Sequence, residues 1–235
     1  MIRKLLIYFI FLFNVDPCFG IDVKTYIPEK AKLYIPLFKQ EQEKYFSDCP
    51  APWYFGGLAE QESCISLTHK KCFDPTSELL TSREQGVGFG QTTRAFKVDG
   101  SIRFDALSDI RKQHMGELKE LSWNNIKTRP DLQARTMVLM IRDTYKLFYS
   151  VKDPLERLKF VDPAYNGGPR DTLKERTACG LKAGCNPQLW FDNVEKVCLK
   201  SRKPLYGNRD ACMINREHPS NVFKLRMNKY QPMFQ

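Results

Sequence analysis

Trp53-Tyr54-Phe55-Gly56-Gly57-Leu58-Ala59-Glu60-Gln61-Glu62-Ser63-Cys64-Ile65-Ser66 is the stretch on which the reading of this chain turns. Wound as a helix, it puts Phe55, Leu58, Ala59, Glu62, Ile65 and Ser66 on one face at spacings of three and four. Glu62 then stands in an apolar stripe, whereas Glu60 lies on another face and is expected in solvent. A carboxylate set in an apolar wall loses hydration, which disfavours its charged form. A carboxyl that keeps its proton near neutrality is what a general acid needs. A buried carboxylate with a structural partner fits the same pattern, so periodicity alone leaves both readings open.

Helical patterning continues outward from this segment. It is strongest over residues 131–150, where Ala134, Val138, Ile141, Tyr145 and Phe148 make one stripe. Further helices are predicted over 104–115, 117–123, 154–159, 187–200 and 220–228, with a short charged one over 37–46. Strand-like alternation is scarce, apart from a hairpin over 93–104 with Asp99-Gly100 at its turn. The predicted fold class is mainly α. Residues 53–235 read as the main domain. Residues 21–52, broken by Pro28, Pro36, Pro50 and Pro52, read as an N-terminal extension packed on it or as a linker.

The first 20 residues have the layout of a secretory signal peptide: Arg3 and Lys4, an apolar run over 5–13, then Asn14, Asp16, Pro17 and the small Gly20. An uncleaved anchor is the alternative, but the run is shorter than the roughly 20 apolar residues that span a bilayer. Asp16 and Pro17 fit a lipoprotein signal at Cys18 poorly. Export, to a periplasm or beyond, agrees with seven further cysteines, which read as disulfides. Cys64–Cys72, Cys179–Cys185 and Cys198–Cys212 are plausible local pairs, with Cys49 left over. Zinc competes for such residues, yet there is no CxxC pair, and His69, His114 and His218 lack ligand spacing.

The net charge of +10 falls to +9 without residues 1–20. Such a charge suits an anionic partner, whether cell-wall polymer, lipid headgroup or nucleic acid. The basic residues are dispersed and no nucleic-acid module is present, so nucleic acid is not expected. Membrane contact is expected only if residues 1–20 stay attached.

Two later segments bear on Glu62. Gly86-Val87-Gly88-Phe89-Gly90-Gln91-Thr92-Thr93 is a glycine-dense turn without the Lys-Ser/Thr ending of a phosphate loop. Its glycines allow close approach to a ligand, and Gln91 has the amide to bond a sugar acetamide. Pro163-Ala164-Tyr165-Asn166-Gly167-Gly168-Pro169 reads as a helix stopping on Asn-Gly-Gly. Taken singly, each is also an ordinary turn or helix end.

In this order the three segments resemble the motifs of the soluble lytic transglycosylases and their goose-type lysozyme relatives. Glu62-Ser63 matches the first motif, Gly88-Phe89-Gly90-Gln91 stands in place of the second, and Ala164-Tyr165-Asn166-Gly167-Gly168 matches the third. The resemblance implies a lysozyme-like helical domain that acts on peptidoglycan glycan strands. Glu62 would be the catalytic acid and then the base, and Ser63 would orient Glu62 or the substrate. Gln91 would bind the sugar beside the scissile bond, Tyr165 would hydrogen-bond near the Glu62 carboxylate, and Asn166 would support the site. No metal or organic cofactor is implied. The chain departs from the pattern in a longer stretch between Glu62 and Gln91, read as a disulfide-stapled insertion, and in Gly90, which offers less side chain before Gln91. Other outcomes on the same residues are a hydrolytic muramidase, or a wall-binding component of an envelope or phage assembly without catalysis.

Overall fold

The structure is a computed structural model, and it describes residues 21–235. The predicted signal peptide, with Cys18, lies outside the described residues. The chain is mainly α, with seven α-helices, a four-stranded antiparallel sheet and a two-stranded ribbon (Pro204–Tyr206 with Arg209–Asp210) among the described residues.

Helix α1 (Glu29–Tyr45) lies against α4 (Pro130–Leu147) and buries Ala31, Ile35 and Phe38, so residues 21–52 are part of the core. The helix begins eight residues before the predicted start at Leu37. Pro36 sits inside it on an exposed face, where water can take the hydrogen bond that its missing N–H would have made. Helix α4 buries the predicted stripe of Ala134, Val138, Ile141 and Tyr145, with Phe148 capping it. Helix α5 (Pro154–Gly167) packs on α4, and α6 (Pro169–Gly180) and α7 (Ala211–Ser220) both pack on α5. Gly168, at φ 89°, ends α5 where the Asn-Gly-Gly stop is predicted. After α7 the chain runs on as a π-helical turn (Asn221–Arg226) and a 3₁₀ segment (Met227–Met233), which lie along α2 (Tyr54–Ser63).

That last packing corrects the reading of Glu60. A Cβ on Gly56 would come within 2.6 Å of the Tyr230 ring, and one on Gly57 within 2.7 Å of Met227. The glycine pair lets the C-terminal segment cross directly over the face expected in solvent. Glu60 is 0% exposed there. It is held by Arg226 at 2.7 Å, Lys229 at 2.6 Å and the Tyr230 hydroxyl at 2.5 Å. The helix stops at Ser63, so Ile65, expected in the apolar stripe, is 75% exposed.

The sheet is a meander of β1 (Glu78–Leu80), β2 (Glu84–Val87), β3 (Thr92–Phe96) and β4 (Ile102–Asp105), paired in that order. The β3–β4 hairpin is the predicted one. Strands β1 and β2, three and four residues long, are too short to show alternation. Residues 104 and 105 belong to β4, and helix α3 (Ala106–Gln113) starts behind the cap of Asp105, which accepts from the Ser108 N–H. A small second core forms under the sheet from Leu107, Ile110, Leu118, Leu121 and Ile126.

Two predicted helices are turns. At 117–123, the Arg111 guanidinium binds the carbonyls of Leu118 and Lys119, and Asn125 Oδ1 accepts from the Ser122 N–H. At 187–200, Asn186 and Asn193 side chains take backbone N–H groups and Arg216 takes the carbonyls of Glu195 and Val197, leaving one 3₁₀ turn, Val194–Lys196. In both places side chains offer the backbone partners that compete with the helix ladder. Helix α5 runs eight residues past its predicted end at Lys159. The helix predicted at 220–228 instead opens at Ala211, where Asp210 accepts from the Met213 N–H.

The disulfides are Cys64–Cys72, Cys179–Cys185 and Cys198–Cys212, and Cys49 is free and buried. Burial pushes the Cys49 thiol up to about 12, so it stays protonated. Three disulfides fit an exported protein. No helix among the described residues is long and apolar enough to cross a membrane.

Candidate active site

A cleft of about 990 Å³ opens between the sheet and the helices. Glu62, Ser63, Gln91, Tyr165 and Asn166 all line it, brought together from α2, the β2–β3 turn and the end of α5. Its size is at the upper end of small-ligand pockets.

Glu62 sits in the last turn of α2, 16% exposed, with its two oxygens in different settings. Oε1 lies 2.7 Å from Nε2 of His218 on α7. Oε2 has no hydrogen-bond partner among the described residues. His218 is 5% exposed, and its Nδ1 is 2.6 Å from Oδ1 of Asp162 on α5. Asp162, fully buried, also accepts from the Tyr54 hydroxyl at 2.9 Å. A continuous chain therefore runs from Tyr54 through Asp162 and His218 to the cleft carboxylate. Burial by itself would push the His218 imidazolium to lose its proton. The charge and hydrogen bond of Asp162 and the bond to Glu62 outweigh burial and hold it up to about 10. Burial, reinforced by Asp162, keeps the Tyr54 phenol protonated.

The other expected residues are each bonded within the protein. The Tyr165 hydroxyl donates to the Gly90 carbonyl at 2.6 Å, so its proton is not directed at Glu62. Burial, and then the nearby Glu62 charge, pushes that phenol well above its ordinary range. The contact also explains Gly90. A Cβ there would stand 2.5 Å from both the Tyr165 oxygen and Met137 Cγ, so the space of the missing side chain is filled by Tyr165 and Met137. Gln91 adopts φ 44°, a left-handed conformation costly for a side chain without glycine's freedom. Its Nε2 donates to the Gly88 carbonyl at 3.0 Å, which fixes the amide at the cleft wall.

Ser63 is buried and makes no bond to Glu62. Its Oγ donates to the Ala59 carbonyl at 2.6 Å and accepts from the Phe73 N–H at 3.1 Å. It ties the end of α2 to the loop closed by Cys64–Cys72. Asn166 Oδ1 accepts from Asn215 Nδ2 at 3.1 Å, and Asn215 also donates to the Pro163 carbonyl at 2.8 Å. Lys200 enters the cleft nearby, donating to the Gly167 carbonyl at 2.9 Å.

His218, Asp162, Tyr54, Asn215 and Lys200 were not among the expected site residues. His218 lies 156 positions from Glu62, and no local pattern links the two. Among the described residues, no group of three or more His, Cys, Asp or Glu side chains is placed to hold a metal ion. No protein family, curated protein or solved structure matches the chain.

Proposed function

We propose that the protein cleaves the bond from N-acetylmuramic acid to N-acetylglucosamine in peptidoglycan, with Glu62 as the working carboxyl. The observation that carries this reading is Glu62 Oε2, which has no partner among the described residues, in a cleft that also gathers Gln91, Tyr165 and Asn166. A glutamate at the end of a buried helix, facing a small antiparallel sheet across a cleft, supports a lysozyme-like arrangement. The disulfides support action outside the cytoplasm, in a periplasm or after secretion.

Most glycosidases use two carboxylates. Here Asp162 is buried behind His218, Glu78 and Asp171 in the cleft wall face Lys127 and Lys200, and Glu84 at the start of β2 is engaged as well. The substrate's own acetamide therefore serves as the nucleophile. Glu62 gives the proton on Oε2 to the glycosidic oxygen, the bond from C1 to that oxygen breaks with its electron pair going to the leaving sugar, and the muramyl acetamido oxygen closes on C1. The muramyl 6-hydroxyl then attacks C1, opens that ring and returns its proton to Oε2, leaving a 1,6-anhydro end. Gln91 and Asn166 orient the glycan along the cleft.

Digestion of purified peptidoglycan followed by mass analysis tests this. Anhydro ends, one water lighter than reducing ends, are expected. Reducing ends alone would assign the site to hydrolysis, and binding without release of muropeptides would overturn the catalytic reading.

A further inference from the structure

Among the described residues Glu62 is bonded on one oxygen only, and the group that bonds it is itself enclosed. Asp162 accepts from the Tyr54 hydroxyl through Oδ2, and its Oδ1 lies 2.6 Å from His218 Nδ1. On the other side of the ring, Nε2 meets Glu62 Oε1. Each ring nitrogen thus faces a carboxylate oxygen, at 2.6 and 2.7 Å. With the Glu62 proton on Oε2, both facing oxygens are acceptors, and a ring between two acceptors needs two N–H donors, which only the imidazolium has.

We infer that His218 is a protonated positioning residue, braced by Asp162 and Tyr54, that locks Glu62 Oε1 and leaves Oε2 as the single oxygen exchanging protons with substrate. This rests on the reading of Glu62 as the acid/base. The charged groups that act on the ring are Glu62 from α2 and Asp162 from α5, with the Tyr54 hydroxyl bonded behind Asp162. On its own helix, Glu217 pairs with Arg209 and Arg216 pairs with Glu175, so neither neutralises it. The fixed positive charge favours the Glu62 carboxylate left after proton donation, when the glycosidic bond has broken and the sugar carries positive charge. His218 keeps both protons throughout, so the proton balance of the reaction is unchanged. The brace also explains how one working carboxyl suffices: its conjugate base is stabilised from behind rather than by a second acid across the substrate.

The test has an arm that needs no turnover. In the full chain with labelled histidine, the His218 ring nitrogens are followed by NMR against pH, assigned with His218→Gln. The ring is expected to stay charged past pH 8 and lose its proton near 10, and to titrate lower in Glu62→Gln. Titration near the ordinary value of about 6.5, or no response to Glu62→Gln, would overturn the inference. In the second arm, muropeptide release by His218→Gln is expected to lose about 10- to 100-fold in kcat with KM little changed. The alkaline limb of its pH–rate profile is expected to move to higher pH. Tyr54→Phe, which removes one hydroxyl and keeps the ring, should show a smaller loss in the same direction, and it serves if His218→Gln does not fold. An unaltered kcat and pH profile in both variants would also overturn it. A wild-type protein that releases no muropeptides would instead remove the proposed reaction, while the NMR arm still decides the charge on His218.

Discussion

His218 couples the folding of this protein to pH, and the size of the coupling follows from its two carboxylate neighbours. In the folded chain the imidazolium is held up to about 10, whereas in the unfolded chain it titrates near 6.5, as an ordinary histidine does. The stabilisation from its charge is therefore complete below about pH 6.5 and is lost as pH rises from there through about 10. Within that window the unfolded chain binds about one proton fewer than the folded one. Stability then falls by about 1.4 kcal/mol per pH unit, on the order of 5 kcal/mol across the window. Urea unfolding followed by tryptophan fluorescence, run from about pH 6 to about pH 9.5 on wild type and His218→Gln, isolates this contribution, because other titrating groups largely cancel in the difference. The advantage of wild type over the variant is expected to shrink steadily by several kcal/mol. A difference that stays constant over the range would refute the reasoning, since it would mean that His218 binds the same proton in both states.

Two further perturbations test the surroundings of α2 and of the cleft wall. Tyr230→Phe removes one of three donors to the buried Glu60 and is expected to lower unfolding stability by about 1.5–3 kcal/mol in urea titration; a change within error would mean that Glu60 does not depend on that hydroxyl. Gly90→Ala puts a methyl against Tyr165 and Met137, with an expected loss of about 1–3 kcal/mol and a fall in muropeptide release as Tyr165 shifts; wild-type stability and release would contradict the tight packing seen there.

Much of the helical frame was legible because it is written in local periodicity. The stripe on α4, the Asn-Gly-Gly end of α5, the hairpin at Asp99-Gly100 and the local cysteine pairs each need only a short window of sequence. The segments misread as helices at 117–123 and 187–200 lose their backbone partners to Arg111, Asn125, Asn186, Asn193 and Arg216, which a periodicity count does not see. Glu60 was assigned to solvent because the C-terminal segment that buries it is 166 positions away at Arg226. The Gly56-Gly57 pair was the local sign that another stretch of chain crosses there. The site was legible in part for the same reason. Glu62, Gln91, Tyr165 and Asn166 stand in short recognisable segments, and the fold delivers them to one cleft. The brace behind Glu62 was not legible, because Tyr54, Asp162 and His218 come from three helices whose packing no local pattern specifies.

The central claim is that Glu62 is the proton donor and acceptor of the cleft, and Glu62→Gln tests it most directly. The amide keeps the size of the side chain and can still bond His218, but it has no proton to give. Muropeptide release from purified peptidoglycan, followed by mass analysis for wild type and variant side by side, is the measurement. The account predicts anhydro-ended products from wild type and a loss of at least about 100-fold in the variant, with sedimentation onto peptidoglycan and thermal unfolding retained. Equal release by Glu62→Gln would contradict it.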